Sequence, residues 1–133
     1  MQPAATCRAS GRVVRGRILV VEDDRELRGA LADLLRHEGW AADEAENGLE
    51  ALLALRVGGV PDLVLLDLAM PVMNGWELRD ALLADPLLAR IPVLALTGHE
   101  PDGLHADAVI AKPCRPEKLL ATIARLAPAA AHS

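Results

Sequence analysis

The chain has no tyrosine or phenylalanine and only two tryptophans, Trp40 and Trp76. With 52% of its 133 residues hydrophobic, its core must be built from Leu, Val, Ile and Ala, a composition that suits helices packed on a parallel sheet. Both tryptophans are therefore assigned to packing. The two cysteines, Cys7 and Cys114, lie far apart without metal-ligand spacing, so a disulfide framework and a cysteine zinc site are excluded and both thiols are read as reduced. No apolar run approaches the roughly 20 residues that cross a bilayer, and no hydrophobic stretch follows the charged N-terminus. The expectation is a cytoplasmic protein with no membrane partner. Acids are missing from residues 1–17, which hold Arg8, Arg12, Arg15 and Arg17; removing these four from the formal charge of −5 leaves −9 on residues 18–133. So acidic a body favours cations and partners with basic patches over nucleic acid.

The length predicts one compact domain. Residues 1–16 mix Ala, Ser, Gly, Pro and Arg without periodicity and are expected to be a disordered extension; residues 128–133 are expected to be a frayed tail. Between them, 17–127 alternates strand and helix. Leu27, Ala30, Leu31, Leu34 and Leu35 mark one face of a helix that starts near Asp24 and stops near Gly39. Residues 40–45 are a weaker strand, followed by Asn47-Gly48 and a helix signalled by Leu49, Leu52, Leu53 and Val57. A third helix is expected from about Trp76 to Ala84, a fourth strand over 91–97, and a last helix over 116–126 that buries Leu119, Leu120, Ile123 and Leu126. This order calls for a parallel sheet with helices on both faces.

Four short apolar runs, 18–21, 63–66, 93–96 and 109–111, each stop at a polar residue: Glu22 and Asp23, Asp67, Thr97 and Lys112. In neighbouring parallel strands these side chains meet at the carboxyl edge, where open α/β sheets bind ligands. Three acids brought together repel unless a cation sits among them, and oxygen-only ligands at a shallow site favour Mg²⁺. Asp24 is assigned instead to capping the first helix. A carboxylate such as Asp67 can attack phosphorus and hold the phosphoryl group, with the ammonium of Lys112 and the hydroxyl of Thr97 on its oxygens.

The pieces Ile18-Leu-Val-Val-Glu-Asp23, Asp67-Leu-Ala-Met-Pro-Val-Met-Asn-Gly75, Leu96-Thr97-Gly98 and Ala111-Lys112-Pro113 run in the order of the receiver domain of two-component response regulators, and the chain resembles that family over about residues 17–127. The resemblance implies a flavodoxin-like, doubly wound five-stranded parallel sheet in order 2-1-3-4-5. It implies phosphorylation of Asp67 by the phosphohistidine of a histidine kinase or histidine phosphotransfer protein. Mg²⁺ would be held directly by Asp23, Asp67 and the backbone carbonyl of Ala69, and through water by Glu22. Thr97 and Lys112 would hold the phosphoryl group, and the Lys112–Pro113 bond would be cis. No further cofactor and no enzymatic turnover beyond self-phosphorylation and dephosphorylation are implied.

The chain departs from the family at two places. Three residues before the lysine, where the family carries an aromatic switch residue, stands Val109. The stretch from Thr97 to Lys112 is short by roughly two helical turns and holds Pro101 and Gly103, so the fourth helix, between the fourth and fifth strands, is expected to be shortened or absent. Ala69 and His99 occupy the positions that, in this family, tune loss of the phosphoryl group; Ala69 has no polar atom to orient water, whereas His99 has one. His37, His105 and His132 are assigned to solvent. The leading expectation is a stand-alone phosphoacceptor acting on an unidentified downstream target. The alternative is a docking module of receiver fold that works regardless of phosphorylation, motivated by Val109 and the missing helix. A Mg²⁺-dependent phosphatase is disfavoured, because Leu68 and Ala69 stand where a general acid would follow Asp67.

Overall fold

The computed structural model describes residues 15–67, 75–97, 106–112 and 115–127. In chain order the elements are β1 (Arg17–Val21), α1 (Arg25–His37), β2 (Ala41–Ala45), α2 (Gly48–Val57), β3 (Leu63–Asp67), α3 (Gly75–Leu83), β4 (Val93–Thr97), β5 (Ala108–Ala111) and α4 (Pro116–Leu126). The sheet is parallel throughout, in the order β2-β1-β3-β4-β5. This is the flavodoxin-like order that the family resemblance implies. Among the described residues no helix lies between β4 and β5; residues 98–105, where the shortened helix was expected, fall outside them.

β3 and β4 are buried along their whole length, as unbroken apolar strands covered on both faces should be. Alternate side chains feed two cores. On one face Leu19, Val64, Leu66, Val93 and Ala95 meet Ala51, Leu52 and Leu55 of α2 and Leu78 and Leu82 of α3. On the other Ile18, Val20, Leu63, Leu65 and Leu94 meet Ala32 and Leu35 of α1 and Leu119 and Ile123 of α4. Trp40 packs in the second core.

Two helix faces differ from their sequence signals. In α1 Leu35 is fully buried, Leu27, Leu31 and Leu34 are only half-buried, and Ala30 is exposed while Ala32 takes its place in the core. The half-buried leucines line a cleft of about 440 Å³ with Leu96, Lys112, Pro116 and Leu119, and Leu31 and Leu34 also pack against the edge of the second core. In α2, of Leu49, Leu52, Leu53 and Val57, only Leu52 is buried; Val57 is 88% exposed. The buried set Gly48, Ala51, Leu52 and Leu55 is an equally regular i, i+3, i+4, i+7 stripe. α2 is apolar nearly all round, so periodicity does not choose its phase, and the small residues Gly48 and Ala51 let it lie close to the sheet. β4 starts two residues later than expected because Ile91 closes a turn onto Leu88 and Pro92 has no N–H for a ladder. In α4, Leu119 and Ile123 are buried as expected, whereas Leu120 and Leu126 are half-buried and packed against the same core.

The polypeptide joins the sheet ahead of β1. The Arg15 N–H donates to Gly39 O at 2.8 Å, and Gly16 O accepts from Ala41 N–H at 2.9 Å. Gly39 itself has φ +97°, a conformation that ends α1 and returns the chain into β2.

Candidate functional site

Strand register assembles the site. Val21 lies beside Leu66, Asp67 beside Leu96, and Thr97 beside Ala111, so the residues that end β1, β3, β4 and β5 come out side by side. The ladder extends one step further where Lys112 N–H donates to Thr97 O at 2.7 Å.

Glu22, Asp23 and Asp67 each offer a carboxylate oxygen, all within 4.8 Å of one another. Glu22 and Asp67 are buried and Asp23 is exposed. Asp24 turns away from this group. Its Oδ1 accepts from Glu26 N–H at 3.0 Å and Leu27 N–H at 3.2 Å, an N-cap that starts α1. The Lys112 ammonium donates to Asp67 Oδ1 at 3.1 Å and to Glu22 Oε1 at 3.3 Å. Thr97 is buried at the end of β4.

The charges are unbalanced. Burial, with the neighbouring charge of Asp67, pushes the Glu22 carboxyl up to about 7, although its Oε2 accepts from Asp24 N–H at 3.2 Å. Burial works against the Lys112 ammonium, but the hydrogen bond to Asp67 and the charges of Glu22 and Asp67 outweigh it and leave its pKa raised. Lys112 therefore stays charged at neutral pH. One ammonium facing three carboxylates leaves a net negative, oxygen-only pocket, and that donor set fits a hard divalent cation such as Mg²⁺.

Each described candidate from the sequence thus lies at one edge: Glu22, Asp23, Asp67, Thr97 and Lys112. Ala69, His99, the Lys112–Pro113 bond, Cys7, Cys114, His105, His132 and the side chain of Trp76 lie outside the described residues. Two arginines were not singled out in the sequence, Arg28 beside the site and Arg79 at the opposite edge of the sheet. Arg28 of α1 donates through Nη1 to Glu22 O at 2.9 Å. Arg79 of α3 is buried and pairs at 3.7 Å with Asp107, whose Oδ2 also accepts from Val93 N–H at 2.7 Å, so α3 is tied to the entries of β4 and β5. No sequence pattern marks Arg28, because the group it grips is a backbone carbonyl.

Residues 18–124 match the model of the response regulator receiver domain. The chain belongs to that family. As a receiver domain it is 41% identical over 117 residues to the DNA-binding response regulator MtrA of Mycobacterium tuberculosis, an alignment covering 83% of this chain and 50% of that protein. It spans about half the length of the curated relatives it matches. Among solved structures it superposes with a TM-score of 0.81 on the signal receiver domain of a signal transduction histidine kinase from Syntrophus aciditrophicus, at 33% identity, covering 86% of this chain and 91% of that one. The chemotaxis protein CheY4 of Vibrio cholerae superposes at 0.77 with 27% identity, covering 86% and 99%. Among the described residues of this receiver domain, no helix is long and apolar enough to cross a membrane.

Proposed function

We propose that this receiver domain accepts one phosphoryl group on Asp67 from the phosphohistidine of a histidine kinase or histidine phosphotransfer protein. The observation that carries this reading is the seat of Asp67: a buried strand-end carboxylate clustered with Glu22 and Asp23 and accepting from a lysine ammonium at 3.1 Å. An Asp67 oxygen forms a bond to phosphorus as the P–N bond of the donor breaks, and the bonding pair stays on the imidazole nitrogen. Charge on the transferred oxygens is met by Lys112 Nζ and the Thr97 hydroxyl. Glu22, Asp23 and Asp67 would hold Mg²⁺, with the Ala69 carbonyl as a further ligand; the cation supplies positive charge that neutralises the phosphoryl oxygens. The chain's chemistry is limited to gaining and losing this group. We place it in the cytoplasm, with a downstream protein as its target and its acidic body turned away from nucleic acid.

The test is incubation with a small-molecule phosphodonor and Mg²⁺. One phosphoryl group is expected on the protein and none on Asp67→Asn; undiminished labelling of that variant would overturn the assignment. A second reading has its own support. Val109, three residues before Lys112, is 42% exposed and carries no aromatic ring, so the protein could serve as a docking module whose partner binds irrespective of phosphorylation. Equal partner affinity with and without beryllofluoride would favour docking, and a clear difference the phosphoacceptor.

A further inference from the structure

The peptide that joins Glu22 to Asp23 links two of the three clustered acids, so its plane helps to set where both carboxylates point. Glu22 N–H is held by Ala45 O at 3.1 Å, which continues the β1–β2 ladder one step past Val21. The Glu22 carbonyl has already left the ladder, and it is gripped from α1. Arg28 Nη1 donates to it at 2.9 Å, while Arg28 Nε reaches Glu44 Oε1 on β2 at 3.4 Å. The Arg28 side chain is only 14% exposed, and its backbone sits in the first turn of α1, where Arg28 N–H donates to Asp24 O at 2.8 Å. A planar fork with donors in fixed directions can hold a carbonyl and a carboxylate at once, which a single ammonium does less well.

We propose that Arg28 is a positioning residue for the cation site, fixing the Glu22–Asp23 peptide so that the acids converge before a cation arrives. The proposal rests on the phosphoacceptor reading of that site. It carries a sign of its own. As a bare positive charge Arg28 repels a cation, and its removal strengthens cation binding; as a positioning group it orients the ligands, and its removal weakens binding. Outer partners that orient metal ligands are commonly worth about 10-fold to 100-fold in affinity.

Calorimetric titration of Mg²⁺ into the whole chain separates these outcomes. Arg28→Gln is expected to bind Mg²⁺ about 10-fold more weakly than the wild type. Arg28→Lys, which keeps the charge and is the milder change should the glutamine variant fold poorly, is expected to bind more weakly too. In metal-free protein the Asp23 amide resonance should shift in Arg28→Lys. Unchanged or tighter Mg²⁺ binding by variants that keep the wild-type unfolding midpoint overturns the positioning role while leaving the phosphoacceptor reading intact. A wild-type chain that binds no Mg²⁺ overturns both.

Discussion

Glu22 is a carboxylate buried beside another, and its titration has a measurable sign. Its pKa lies near 7 in the folded chain and near 4.5 when exposed, so between these values the native state holds more protons than the unfolded one. Stability of the metal-free protein then falls as pH rises from about 4.5 to 7, and the loss is complete above that window. Glu22→Gln should flatten this fall by about 3 kcal/mol at most, measured as the difference between the two proteins' unfolding free energies across the window. An equal slope in both would show that Glu22 titrates normally. The adjacent acids Asp23 and Asp24 divide their work in a way that mutation can separate. Asp24→Ala should cost about 1 kcal/mol through the lost cap and leave Mg²⁺ binding intact. Asp23→Asn should weaken Mg²⁺ binding and slightly raise the melting temperature of the metal-free protein, because it removes a like charge. The capping role of Asp24 was legible because helix starts demand a short polar side chain. Arg28 was not, because its partner is a backbone carbonyl, which every residue carries and no sequence pattern marks.

At the scale of elements, the strands were legible and the helix faces less so. A buried parallel strand is an apolar run with a polar residue at its end, and β1, β3 and β4 show that pattern plainly. α2 offers two apolar stripes, and only contact with the sheet selects between them. Leu55→Ala should therefore cost about 2 to 5 kcal/mol, the usual penalty for truncating a buried leucine, whereas Leu53→Ala should stay within about 0.5 kcal/mol. Chemical denaturation of both variants checks the phase. Equal costs would contradict it, and a larger cost for Leu53 would reverse it. The α1 leucines carry the same lesson: an amphipathic pattern locates a helix but does not say how deeply each position is sunk, and Leu27, Leu31 and Leu34 line a cleft instead of the centre of the core.

Across the whole molecule, the parallel order β2-β1-β3-β4-β5 brings residues up to 90 positions apart into one site, as in the 3.3 Å contact of Lys112 with Glu22. That convergence followed from short polar-ended runs only because α/β connections are regular, with crossovers that place successive strand ends at one edge. The proposed phosphoacceptor role falls on Asp67 alone among the three clustered acids. It is tested most directly by transferring a phosphoryl group from a phosphorylated histidine kinase to the chain in Mg²⁺ and mapping the modified residue by peptide mass spectrometry. A single acyl phosphate is expected on Asp67 and none on Asp67→Asn; a phosphoryl group on any other residue, or one that persists in Asp67→Asn, would contradict the role of Asp67.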